Sequence, residues 1–225
     1  MSIKSMYIFN KMTELSIFTN ELEKIDWKIE KEYLKDRAIF YAKLKIFTLM
    51  KQTFLDKKIS IFALKDEEVI TWIDTLTLLR RLLLILFKQG VDTDKISIIM
   101  EYPLIFGNHM RADYLLIYDQ LIIVLEFGMF NQDERRSEER YTKKLQESNS
   151  YRQLLANLIN SKIEVVNYVM IYRPEYSRNQ KQYLKENILY NNEELHKLVK
   201  FISHLIKLQD VSRPMYQLAY LNNIN

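Results

Sequence analysis

Between positions 111 and 127 the chain carries two apolar runs, Arg111–Tyr118 and Leu121–Phe127, separated only by Asp119 and Gln120. A gap of two residues leaves no room for a helix or a crossover, so the pattern predicts an antiparallel β-hairpin. Asp-Gln is a weaker turn signal than Asn-Gly, yet it fixes a register. If these two residues form the turn, Tyr118 pairs with Leu121, and counting back along the ladder sets Asp113 opposite Glu126. Their Cβ atoms would then lie about 4.5–5.5 Å apart on one side of the sheet. Like charges so placed destabilise a ladder, and burying them without a counter-charge costs more. Three resolutions are open. A hard divalent cation, Mg2+ or Mn2+, sits between them; Arg111 or a lysine neutralises them; or both are solvated at the strand ends.

Glu101 adds to the pattern. The segment Ile96–Tyr102 is short, β-branched and closed by Pro103, and Glu101 is the only acid between Ile96 and Phe106. A third carboxylate therefore approaches the same sheet edge, and three oxygen donors ending three neighbouring strands suit metal-assisted phosphodiester hydrolysis. A further strand is expected over Ile163–Tyr172, ended by Arg173-Pro174.

Helical periodicity governs the rest. It is strongest from Thr71 to Gln89, with Gly90 as the stop, and this segment is apolar on most sides, as expected for a helix packed on a sheet. A second helix opens in the charged run Asp133–Arg140 and continues to about Asn160, with Tyr141, Leu145, Tyr151, Leu155, Leu158 and Ile159 on one face. Leu195, Leu198, Val199, Ile202, Leu205 and Ile206 form a stripe on a C-terminal helix. The last dozen residues read as less ordered. The middle of the chain thus reads helix, strand, strand, strand, helix, strand, an α/β class with helical additions. Residues 1–70 are read as a helical N-terminal extension, 71–175 as the core, and 176–225 as a C-terminal helical segment packed on it. An all-helical scaffold survives only if the three strand regions are not strands.

Composition narrows the chemistry. With no cysteine, disulfides, Cys-based zinc sites and a cysteine nucleophile are excluded. His109, His196 and His204 are too scattered to suggest a histidine metal site. A net charge of +4 from 33 basic and 29 acidic residues fits nucleic acid only weakly. No signal peptide opens the chain. Its most apolar stretch, Leu76–Phe87, is interrupted by Arg80 and Arg81 and falls short of the roughly 20 residues a bilayer span needs. A soluble, cytoplasmic protein without a membrane partner is expected.

The segments Glu101-Tyr102-Pro103-Leu104, Arg111-Ala112-Asp113 and Val124-Leu125-Glu126-Phe127-Gly128 resemble the motifs of the PD-(D/E)XK nuclease superfamily. The resemblance covers about 70 of the 225 residues. It implies a restriction-endonuclease-like core (αβββαβ, mixed sheet) and a Mg2+- or Mn2+-dependent nuclease acting on DNA, or on RNA, in a restriction or phage-defence setting. Asp113 and Glu126 would be metal ligands, and Glu101 a further ligand or a water-orienting acid. Gln146 and Tyr151, on the following helix, loosely match substrate-binding positions of the superfamily, being five residues apart where four are expected. The chain departs from the pattern at Gly128, where the superfamily usually has lysine. Some members carry that lysine on the next helix, where Lys143 and Lys144 are the candidates, and Lys144 shares a face with Ser148 and Tyr151. Arg111, on the face of Asp113, either touches a phosphate or neutralises the carboxylates. The competing expectation is an inactive module of the same fold that binds nucleic acid or a partner protein, or a second copy of itself, through its helical flanks.

Overall fold

In strands Arg111–Tyr118 and Leu121–Met129, side chains alternate between two hydrophobic cores. Tyr114, Leu116, Tyr118, Leu121, Ile123, Leu125 and Phe127 enter the larger one, and Leu115 and Val124 the smaller. Apolar groups are therefore needed on both faces, which is why these strands read as continuous runs. The computed structural model describes residues 3–59, 63–104, 110–130 and 133–222.

Strand β1 (Tyr7–Phe9) is followed by helices α1 (Met12–Phe18), α2 (Asn20–Lys24), α3 (Leu34–Tyr41), α4 (Lys45–Asp56) and α5 (Asp66–Lys88). Then come β2 (Ser97–Pro103), β3 (Arg111–Tyr118), β4 (Leu121–Met129), α6 (Glu134–Leu158) and β5 (Glu164–Tyr172). A small ribbon, β6 (Tyr176–Ser177) with β7 (Gln182–Tyr183), leads into α7 (Lys185–Val211) and α8 (Pro214–Asn222). The main sheet has five strands in the order β1-β2-β3-β4-β5; the pairs β1/β2, β2/β3 and β3/β4 are antiparallel, and β5 runs parallel to β4. The fold is mixed α/β. Edge strand β1 lies inside the stretch whose periodicity reads as helical: three residues are too few to disturb a helical pattern, and pairing with β2 decides their state.

The hairpin register is the expected one, with Tyr118 paired to Leu121 and Tyr114 to Leu125. Asp119 turns the chain at φ +50°, a left-handed conformation that aspartate tolerates, and Arg213 donates to its carboxylate at 3.1 Å. Helix α5 buries twelve residues, ten of them apolar side chains in the larger core. Its two arginines leave that core sideways, Arg80 to Glu23 and Arg81 to Glu175 in a bidentate pair at 2.6 and 2.8 Å. The stripe Leu195–Ile206 of α7 is buried in the same core. Helix α6 covers the opposite face through Ser148, Tyr151 and Leu155, and Asn167 of β5 donates to Ser148 Oγ at 3.0 Å. Tyr141 and Leu158, expected on the inner face of α6, are exposed, because the helix contacts the sheet along a narrow seam. No helix among the described residues is long and apolar enough to cross a membrane.

Candidate functional site

The C-terminal end of β4 and the facing ends of β2 and β3 form one wall of a cleft of about 380 Å3, closed by the first turns of α5 on one side and by α6 on the other. Neighbouring ladder pairs set Glu101 opposite Asp113, and the hairpin sets Asp113 beside Glu126, so the three acids form a row across adjacent strands. Asp113 and Glu126 interlock. The amide of Asp113 donates to Glu126 Oε1 at 2.9 Å, and the amide of Phe127 donates to Asp113 Oδ2 at 2.9 Å. Each carboxylate therefore takes the backbone donor that the other strand leaves at the end of the ladder, which fixes both side chains on the α6 face.

The cation between them is Lys144. Its Nζ lies 3.0 Å from Asp113 Oδ2 and 2.6 Å from Glu126 Oε2. Lys144, Ser148, Tyr151 and Leu155 follow one another at helical spacing, so the packing that seats α6 on the sheet also aims the ammonium at the two acids. Burial alone would lower the Lys144 pKa, but the charges of Asp113 and Glu126 override it and hold it well above its ordinary value. Glu126, fully buried, is pushed well above the usual carboxylate range by that burial and by Asp113, against the opposing pull of Lys144. One ammonium does not offset two carboxylates here.

Glu101 is turned elsewhere. Its φ of +53° places a non-glycine residue in the left-handed region within a strand. Ile98 and Met100 belong to the larger core, whereas Tyr102 packs against the smaller one, so strand alternation breaks at this residue. The carboxylate consequently lies under α5, where the Trp72 indole donates to Oε1 at 2.8 Å and Arg111 Nη1 is 3.2 Å from Oε2. Burial raises its pKa to about 8, against the lowering effect of Arg111, with Asp113 and Glu68 adding to the rise. Arg111 also pairs with Glu68 of α5 and lies over the Phe54 ring. It neutralises Glu101 and Glu68 and is spent before it reaches the interlocked pair.

The other sequence candidates divide. Tyr151 is buried directly beneath Lys144 in the smaller core, where burial and then Glu126 raise its pKa. Lys143 sits exposed on the cleft rim, 3.9 Å from Glu147. Gln146 is exposed and lines a separate surface depression, so it does not join the carboxylates. His196 and His204 are exposed on α7, and His109 lies outside the described residues. Among the described residues no three acidic, histidine or cysteine side chains surround one ion position.

Gly128 lies on the face of Glu126, two residues along. A Cβ built there would come within 2.5 Å of Ile171 Cδ1 and 3.5 Å of the Arg140 side chain. Ile171 Cδ1 thus occupies the space that a side chain at 128 would need, and Arg140, which donates to the Met129 carbonyl at 2.7 Å, lies in ordinary contact beside it. Glu68, Trp72 and Arg140 all line the cleft, and sequence reasoning did not single them out. The signal was present for the first two: an acidic first turn, Asp66-Glu67-Glu68, with Trp72 one turn after Glu68 on the same face.

The chain matches no family model, no curated protein and no solved structure.

Proposed function

We propose that this chain is a divalent-metal-dependent nuclease with a restriction-endonuclease-like core, cleaving phosphodiester bonds in DNA, with a restriction or phage-defence role. The observation that carries the reading is Lys144, whose ammonium reaches both Asp113 and Glu126 at 3.0 and 2.6 Å from a helix rather than from the strand position held by Gly128. The element order α5-β2-β3-β4-α6-β5, with β5 parallel to β4, agrees with that core.

The donor set fits Mg2+ or Mn2+. These ions take one or two carboxylates and keep several waters, and Asp113 with Glu126 offers two oxygen donors on one face that still lack a full counter-charge. Once bound, the ion would activate a water and offset charge developing on the phosphate. The chain's own residues do the rest. Asp113 and Glu126 would hold the ion, and their crossed backbone hydrogen bonds keep the two carboxylates in place. Lys144, released from the two carboxylates as the ion takes its place, would supply a positive charge at the phosphate, the service that a strand lysine would give, and removal of one such electrostatic stabiliser costs about 100- to 1,000-fold in rate elsewhere. Glu101, tied to Trp72 and Arg111 under α5, is turned away from the position the ion would take.

The test is cleavage of plasmid and oligonucleotide DNA with Mn2+, comparing wild type with Asp113→Ala, Glu126→Ala and Lys144→Ala. Activity in the wild type and its loss in the three variants is expected. Equal residual activity in all four proteins removes the reading. One observation favours the alternative, a non-catalytic module binding nucleic acid or a partner protein: Lys144 already bonds both acids, so the pair is tolerable as it stands. That alternative requires no cleavage and no metal-dependent rise in melting temperature.

A further inference from the structure

A second cavity, of about 640 Å3, opens on the other side of the β4 and β5 ends, walled by Phe130, Ile171, Arg173, Tyr190 and the first turns of α6. Arg173 is part of its wall. Its guanidinium carbon lies 4.4 Å from the Phe130 ring centre and 3.9 Å from that of Tyr190, a planar cation held between two aromatic faces. Asn191 clamps its backbone, accepting from the amide at 2.8 Å and donating to the carbonyl at 2.8 Å, while its Nε is buried with no partner among the described residues. Tyr141 lines the same cavity with an exposed ring, and Glu134 and Glu138 line it with exposed carboxylates.

The chemistry of this lining selects its occupant. Two carboxylates against one guanidinium repel a phosphate group. The Arg173 planes are already covered by Phe130 and Tyr190, but the exposed Tyr141 ring suits stacking of a flat heterocycle, and carboxylates accept from the amino and imino edges that such rings present. The location agrees. Phe130 lies four residues beyond Glu126 and directly follows β4, so in extended chain the cavity starts about 13 Å from the carboxylates, a distance spanned by about four stacked nucleotides at 3.4 Å each or by fewer when stretched. Gly128 and Arg140 line the first cleft and Ile171, packed against Gly128, lines the second.

We infer that this cavity seats one unpaired nucleobase of a nucleic-acid strand whose phosphodiester runs through the Asp113–Glu126 cleft. The inference rests on the nuclease reading and gives its substrate a single-stranded element. The occupant's ring stacks on Tyr141, and Glu134 and Glu138 read its donor edge.

The experiment is anisotropy of labelled single-stranded DNA oligonucleotides bound to the full chain in Ca2+ buffer, with one abasic site walked along the strand. One or two adjacent abasic positions should weaken binding at least about fivefold, within the range that stacking of one base is worth. Tyr141→Ala should weaken the intact oligonucleotide by a similar factor and flatten the abasic profile. Glu138→Gln should change which base is preferred at that position. Tyr141 and Glu138 are exposed, and unchanged melting temperatures will show that both variants fold. A flat wild-type profile, or an absence of oligonucleotide binding, overturns the inference. Competition by free guanosine or adenosine at micromolar concentration overturns the strand assignment in favour of a small-molecule site. A flat profile with intact Mn2+-dependent cleavage leaves the nuclease reading standing, whereas an abasic-sensitive profile without any cleavage supports the cavity and counts against hydrolysis.

Discussion

Replacing Lys144 with methionine keeps the stem of the side chain and removes the charge between Asp113 and Glu126. Breaking a fully buried ion pair by deleting one partner costs about 3–5 kcal/mol. Here the Glu126 side chain is 1% exposed, but Lys144 and Asp113 are 24% and 27% exposed, and solvent screening reduces the cost to about 2–3 kcal/mol. For a chain of this size about 1 kcal/mol moves the melting temperature by 2–4 °C, so a fall of roughly 5–10 °C is expected at neutral pH. The pH dependence is the sharper part. Glu126 is already raised above the usual carboxylate range by burial and by Asp113, and loss of the ammonium raises it further. Folded protein then retains a proton that the unfolded chain has released, so stability is full below the ordinary glutamate pKa and falls as pH rises through the folded value. The deficit of Lys144→Met should therefore be small at pH 5 and large at pH 8. Adding Glu126→Gln to the same chain should recover most of the loss at pH 8. Thermal melts followed by circular dichroism at both pH values measure this directly. A deficit of equal size at pH 5 and pH 8, or none at either, would refute the assignment of Lys144 as the counter-charge.

Two further outcomes follow from the same cleft. The Glu101 carboxyl is raised from 4.5 to about 8, first by burial, so its contribution to stability is full below pH 4.5 and declines as pH rises toward 8. Glu101→Gln removes that decline, and its melting temperature relative to wild type should climb between pH 5 and pH 8, with a ceiling of about 5 kcal/mol at about 1.4 kcal/mol per pH unit; a flat difference across that range contradicts the buried-acid assignment. Gly128→Lys must displace Ile171 and crowd Arg140, so it should destabilise by about 1–3 kcal/mol and leave Mn2+-dependent cleavage no faster; a tenfold gain would show that Lys144 does not supply the functional charge.

The hairpin was legible because its two-residue gap leaves one register, and that register put Asp113 and Glu126 together. Lys144 was legible through its helical phase with Ser148 and Tyr151. Gln146 was not placed correctly by the motif, since two residues after Lys144 the helix has turned more than half-way round to solvent. The orientation of Glu101 could not be read from sequence. It depends on one left-handed backbone residue inside a strand, which no side-chain pattern announces, and on Trp72 and Arg111 waiting beneath α5 to receive the carboxylate. The stacking of Arg173 between Phe130 and Tyr190 was equally hidden, because those three residues come from three separate elements.

A crystal soaked in MnCl2, with data collected at the manganese absorption edge, separates an ion-holding pair from one closed by Lys144. Metal binding here predicts an anomalous peak in contact with both Asp113 and Glu126, with the Lys144 ammonium moved from its present position. An unchanged Lys144 still bonded to both carboxylates at saturating manganese, with no peak beside them, would contradict it.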